Sequence, residues 1–231
     1  HFYFSLKLKQ LNEVTLNKKI LFISTVVILF LAFFAATSIF QSQQETKENE
    51  LASNNVNAVS RVGSPSKGAA DAKVTIVEFF DPACETCAQF YPLVNNIVKK
   101  YSGKVKVEMR YTPFHKGADK VVAMLEAAHL QGEFWPALEL LFANQQGWTR
   151  HHTAQPELAL QLLSRLSLNQ QQLQTNMMSE KVMKVIAKDV ADAKTLGVRA
   201  TPQFFVNGKP LTQFGYQELI KMVEDAIAVA Y

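Results

Sequence analysis

Two cysteines separated by two residues, Cys84-Glu85-Thr86-Cys87, are the whole thiol content of this 231-residue chain. They follow directly on an apolar run, Val74-Thr75-Ile76-Val77-Glu78-Phe79-Phe80. A C-x-x-C pair where a strand gives way to a helix holds two sulfurs close enough to bond. It also sets the first sulfur at a helix N-terminus, where backbone N–H groups and the helix dipole favour a thiolate. The thiolate is the species that attacks disulfides, so the spacing points to redox chemistry.

Two other uses of such a pair are weaker. Structural zinc asks for four ligands, usually from two Cys pairs or from Cys with closely spaced His. There is no second Cys pair, and His115, His129, His151 and His152 lack the H-x₃₋₅-H spacing. A disulfide that closes so small a loop constrains the unfolded chain little, so a purely structural bridge gains little.

The elements that must position the sulfurs can be read around them. Lys73–Phe80 reads as a buried strand and Cys84 to about Tyr101 as a helix with Pro92 inside it. Lys104–Tyr111 alternates Val105, Val107 and Met109 and reads as a second strand. Strand, helix, strand is a βαβ unit with a parallel pair. Helical periodicity then runs through Ala118–Leu130, Glu133–Asn144, Pro156–Leu166, Gln170–Met178 (with Asn169 as cap) and Val182–Leu196, which Gly197 ends. Trp148, His151 and His152 fall in an expected surface loop. Gln203–Val206 is strand-like, Asn207-Gly208 signals a hairpin, Lys209–Phe214 should return as its partner, and Tyr216–Val229 closes as an amphipathic helix.

The N-terminal part is of another kind. Ile20–Phe40 is an uncharged stretch of 21 residues, enough at about 1.5 Å per residue to span a bilayer core. Lys7, Lys9, Lys18 and Lys19 precede it against one acid, Glu13. That bias predicts a cytoplasmic segment 1–19, an anchor over 20–40 and an exported remainder. A cleaved signal peptide is the rival; the run is longer than a usual signal h-region, which favours an uncleaved anchor. The formal net charge is +4, of which residues 1–19 hold +3 and the rest only +1. The Lys excess therefore reads as topology, and the balanced remainder argues against nucleic-acid binding. Residues 41–70 are polar and poor in aromatics, as expected of a flexible linker. Residues 71–231 then suffice for one domain with its own core.

The order βαβ, helical block, β-hairpin, α, with C-x-x-C after the first strand, resembles the thioredoxin fold with an inserted helical domain, as in the DsbA-like thiol–disulfide oxidoreductases. Phe79-Phe80-Asp81-Pro82-Ala83-Cys84-Glu85-Thr86-Cys87-Ala88-Gln89-Phe90 resembles that family's active-site segment. Val198-Arg199-Ala200-Thr201-Pro202-Gln203-Phe204-Phe205-Val206-Asn207-Gly208 resembles its cis-proline loop and following hairpin. The resemblance covers residues 71–231 and implies an α/β, thioredoxin-like fold with a helical insertion at about 115–196.

The resemblance also implies roles. Cys84 would be the attacking thiolate and Cys87 the resolving thiol. Pro202 would be cis, turning the backbone of Thr201 toward the sulfurs to meet a substrate strand. An acid at the position of Glu78 is common in the family; here it would be a buried carboxylate moving protons to or from Cys87, with Arg110 or Lys106 as its counter-charge. The plain alternative for Glu78 is a sheet-edge residue facing water, and for Thr201-Pro202 an ordinary turn before a strand. Glu85-Thr86 stands where the family commonly has a Pro-His type of pair, and a carboxylate beside the sulfur should oppose the thiolate and make the disulfide less oxidising. Phe80, Pro82, Phe114, Phe204 and Phe214 could line an apolar groove, with core packing the default for each. Met177-Met178 reads as core or gap-filler.

The expected function is that of a membrane-tethered thiol–disulfide oxidoreductase, acting on exported proteins as a disulfide-forming oxidase. Its only redox group would be the Cys84–Cys87 disulfide, with no cofactor and no metal. Its partners would be thiol- or disulfide-bearing substrates, a membrane redox partner and, through the N-terminal helix, the bacterial inner membrane, with the catalytic domain in the periplasm or extracytoplasmic space. The alternatives are a reductase or isomerase of exported disulfides, or a non-enzymatic chaperone holding Cu(I) between the same thiolates.

Overall fold

The computed structural model describes residues 21–231. The expected cytoplasmic segment 1–19 and the first residue of the expected span lie outside the described residues. Two compact units make up the chain, one ending at Lys47 and the other running Glu48–Tyr231. In the first, helix α1 (Leu21–Asn54) begins with apolar side chains that are exposed throughout, such as Phe22, Leu29 and Phe33. It is long and apolar enough to cross a membrane.

The second unit is built on a five-stranded sheet. Its strands are β1 (Ser66–Gly68), β2 (Val74–Phe80), β3 (Val105–Tyr111), β6 (Gln203–Val206) and β7 (Lys209–Pro210), in spatial order β1-β3-β2-β6-β7. β2 and β3 are parallel, joined by helix α3 (Glu85–Lys100); the other pairs are antiparallel. Between β3 and β6 come α4 (Ala118–His129), α5 (Phe134–Ala143), α6 (Gln145–Trp148), the small β4 (Thr149–Arg150) and β5 (Thr153–Ala154) hairpin, α7 (Pro156–Leu163), α8 (Gln170–Met177) and α9 (Glu180–Thr195). Helix α10 (Tyr216–Ala230) follows β7. This is a thioredoxin-like α/β fold with a helical insertion.

Strand alternation sorts two cores. Val74, Ile76 and Phe80 of β2, with Val107, Met109 and Tyr111 of β3, face α3, α10 and the insertion. Val77 and Phe79, with Phe205, face the other way, onto Leu196 and Val198 and onto Ala52, Ala58 and Val59. Each large side chain buried this way contributes roughly 1.5–3 kcal/mol.

That second core corrects the expected flexible linker over 41–70. Helix α1 continues to Asn54, α2 (Val56–Val59) follows, and β1 pairs with β3. A few small apolar residues in a polar stretch, and a strand reading Ser-Lys-Gly, carry no periodic signal; the pairing comes from backbone groups, helped by Trp135 Nε1 donating to Ser66 O and Lys67 Nζ to Asn95 Oδ1. Arg110 ties the segment down. It is fully buried, donates to the carbonyls of Ala58 and Val59 at 3.0 and 2.8 Å, and pairs with Asp189 at 2.8 Å and Asp192 at 2.6 Å.

Other expectations need adjustment. β7 is two residues long rather than reaching Phe214, since Pro210 brings no N–H and sits at the sheet edge. The turn before it has Asn207 at φ 46° and Gly208 at φ 83°, the left-handed pair a two-residue hairpin needs. Trp148 is wholly buried, its indole N–H donating to Leu141 O at 2.8 Å, and so belongs to no surface loop. Met178 is 81% exposed, which removes it from the core, while Met177 packs against it.

Candidate active site

β2 delivers the site. Its last residue, Phe80, is buried, and the chain turns through Asp81-Pro82-Ala83, all buried, into α3. Asp81 organises the turn. Its Oδ1 accepts from Ala83 N and its Oδ2 from both the backbone N and ring Nδ1 of His115, each at 2.8 Å, while its carbonyl accepts from Cys84 N at 3.1 Å.

Cys84 is the N-cap residue of α3, at φ −79° and ψ 120°. This puts its sulfur against the free N–H groups of the first turn. Its thiol is pulled from 9 down to about 5: a hydrogen bond from the Cys87 side chain is the largest cause, opposed by burial and reinforced by the Thr201 side chain and the backbone N–H groups of Cys87 and Thr86. Cys87, one turn in, goes the other way. Burial pushes its thiol well above 9, and the hydrogen bond to Cys84 and the charge of Glu78 add to this. The pair is a dithiol here, Cys84 7% exposed and Cys87 0%.

The loop before β6 completes the site. The Thr201–Pro202 peptide is cis, and Cys84 Sγ donates to Thr201 O at 3.2 Å. The two distant segments quoted for the family resemblance thus meet at the sulfur.

Glu78 lies beneath, on the core side of β2, 1% exposed, with Oε1 lacking any hydrogen-bond partner among the described residues. Burial, helped by the negative charge of Cys84, raises its carboxyl from 4.5 to about 8. It is no sheet-edge residue, since β2 is central. Neither expected counter-charge reaches it. Arg110 and Lys106 register opposite Phe79 and Thr75, on the other face of the sheet. Arg110 takes the aspartates of α9, and Lys106 donates to Ala70 O at 3.2 Å.

Glu85 also departs from expectation. Its exposed carboxylate lies 3.6 Å from His152 Nδ1, turned toward that ring, and the largest influences on Cys84 come from Cys87, burial, Thr201 and Thr86. His152 is stacked on His115, ring centroids 5.8 Å apart. Of the candidate groove aromatics, Phe80 and Phe204 are core, whereas Phe114 and Phe214 are 52% and 55% exposed. Phe214 and Tyr216 pack on Phe90 of α3, at centroid distances of 4.9 and 4.4 Å.

From sequence, Asp81 reads only as part of the turn before α3, and His115 and Gln145 carry no role. Gln145 is buried, and its Nε2 donates to the carbonyls of Pro82 and Cys84. Asp81 had one available signal: an acid ahead of Pro at the end of a strand is a turn former. His115 and Gln145 lie 31 and 61 residues from Cys84 in sequence and had none. Among the described residues, no group of three or more His, Cys, Asp or Glu side chains is placed to share a metal ion.

Comparison with known proteins agrees with this geometry. Residues 60–225 match a protein-family model described as thioredoxin. The disulfide bond formation protein D of Bacillus subtilis is 28% identical over 170 residues, 70% of this chain and 76% of that protein. A thioredoxin-like oxidoreductase structure from Silicibacter pomeroyi superposes with a TM-score of 0.65 at 26% identity, covering 76% of this chain and 98% of that one. A Na(+)/H(+) antiporter NhaA of Herminiimonas arsenicoxydans is 30% identical over 145 residues, 63% of this chain, which spans only 22% of the antiporter's length.

Proposed function

The chain belongs to the thioredoxin family, residues 60–225 being a thiol–disulfide oxidoreductase domain of the DsbA-like kind, and on that premise we propose that the protein forms disulfides in exported proteins while held to a membrane by α1. The observation that carries this reading is the place of Cys84, on the N-cap of α3 with its sulfur against Thr201 of the cis-Pro202 loop, where its thiol is pulled down to about 5. A thiolate stabilised this far stabilises the reduced form, which makes the disulfide a strong oxidant.

The steps follow from the two sulfurs. With Cys84 and Cys87 joined, a substrate thiolate attacks Cys84 Sγ. The Cys84–Cys87 bond breaks, its electron pair passes to Cys87, and Glu78, protonated at neutral pH, gives up its proton to that sulfur. The result is a mixed disulfide between substrate and Cys84. A second substrate thiolate attacks the substrate sulfur of that bond, and Cys84 leaves as a thiolate, which its low pKa favours. The substrate has lost two electrons and two protons. One proton ends on Cys87 through Glu78, which is recharged from solvent; the other goes to solvent. The two electrons remain in the reduced Cys pair until an oxidant in the membrane removes them and the disulfide re-forms. Thr201, whose backbone touches the sulfur, holds the substrate chain in place, with Pro202 shaping the loop.

The direction is tested by equilibrating the full-length chain in detergent with glutathione buffers. The expected potential lies toward that of DsbA, about −120 mV, and away from that of thioredoxin, about −270 mV. A value at or below that of thioredoxin would make the protein a reductase. A reporter active only outside the cytoplasm, fused after Tyr231, should be active; inactivity would refute the proposed topology.

A further inference from the structure

The turn that carries the nucleophile is gripped by a side chain that none of these steps uses. Gln145, the first residue of α6, is 7% exposed. Its Nε2 donates to Pro82 O at 2.9 Å and to Cys84 O at 3.0 Å. Its own carbonyl accepts from Thr149 Oγ1 at 2.9 Å, which ties it to β4. A buried carbonyl must find a donor. Among the described residues, Gln145 is the side-chain donor to both, and Cys84 O has besides it only Ala88 N, at 3.3 Å, the first bond of α3.

The direction of the Cys84 carbonyl is set by the ψ angle of Cys84, here 120°. The same rotation fixes where the next peptide planes lie, and with them the N–H groups of Thr86 and Cys87 relative to Sγ. An amide that holds the carbonyl therefore holds the meeting of sulfur and helix N-terminus.

We propose that Gln145 is a positioning residue for the reaction, by which the helical insertion sets how the first N–H groups of α3 meet the Cys84 sulfur. The proposal rests on the reading of Cys84 as the attacking sulfur. It gives the insertion a part in the chemistry besides covering the site.

The test uses the reduced full-length chain in detergent. Gln145→Met keeps the length of the side chain and removes both N–H groups. Gln145→Glu turns carboxylate oxygens toward the two carbonyls. Thiolate absorbance at about 240 nm is followed against pH, with thermal unfolding alongside. Gln145→Met should raise the Cys84 midpoint by about one pH unit, a tenfold gain in the sulfur's affinity for its proton, because a misaimed N–H gives up a charge-assisted bond. Gln145→Glu should raise it further, and glutathione equilibria should move both variants toward a less oxidising potential. If Gln145→Met fails to fold, Gln145→Asn, shorter by one methylene but still a donor, should give a smaller rise in the same direction. An unchanged midpoint in the folded variants, with or without a lower Tm, overturns the proposal. The parent reading fails separately: Cys84→Ser would then keep the low-pH absorbance step that wild type shows.

Discussion

Replacing Glu78 with Gln isolates the most perturbed carboxyl near the sulfurs. Its acid form is favoured in the folded, reduced chain, with a pKa of about 8 against 4.5 for the free group. The folded state thus binds a proton that the unfolded state has already lost between these values. Folding is therefore favoured below about 4.5, loses stability steadily as pH rises toward 8, and carries the full penalty above it. At pH 7 the penalty for the mostly protonated group is about 3 kcal/mol, from the linkage relation with about 1.36 kcal/mol per pH unit. Glu78→Gln keeps the shape and removes the titration, so it should stabilise the reduced protein by up to about 3 kcal/mol at pH 7 and by almost nothing at pH 4. Chemical unfolding of both proteins at several pH values reads this directly. The same substitution removes the proton given to Cys87, so the rate at which substrate thiols open the Cys84–Cys87 disulfide should fall, and the decline in that rate as the buried Glu78 carboxyl ionises at high pH should vanish. A stability difference that does not depend on pH, or an unchanged pH–rate profile in the Gln variant, would refute the reasoning.

Cys84→Ser should abolish dithiol oxidation, and Cys87→Ser should accumulate substrate-linked mixed disulfides, seen as thiol-sensitive bands on non-reducing gels. Glu85→Gln should leave the Cys84 midpoint where it is, because the carboxylate turns to solvent and His152; thiolate absorbance against pH checks it, and a fall in the midpoint would restore the carboxylate as an opposing charge. Asp189→Ala leaves Arg110 buried with one carboxylate fewer and should cost about 3–5 kcal/mol in chemical unfolding.

The chemistry of this protein was legible from a short piece of chain. C-x-x-C after a β-branched run gives a thiol pair on a strand-to-helix turn, because strand periodicity, turn residues and helix N-terminal dipole are all local. The Thr201-Pro202 loop and the Asn207-Gly208 hairpin were likewise visible, since a turn is dictated by the few residues that make it. The environments of those groups were not legible. Glu78 and Arg110 are one register step apart on paired strands, and only the assembled sheet sends one into an unpaired core and the other to the aspartates of α9. The carboxylate of Glu85 looked like a charge on the sulfur by adjacency in sequence, yet side-chain direction at the start of α3 carries it to His152. Residues 41–70 looked like a tether because composition records polarity and not the backbone pairing that recruits β1. Gln145 and His115 grip the Asp81–Cys84 turn from the helical insertion. Contacts between segments so far apart in sequence arise only when the chain has folded, because they depend on where whole helices come to rest.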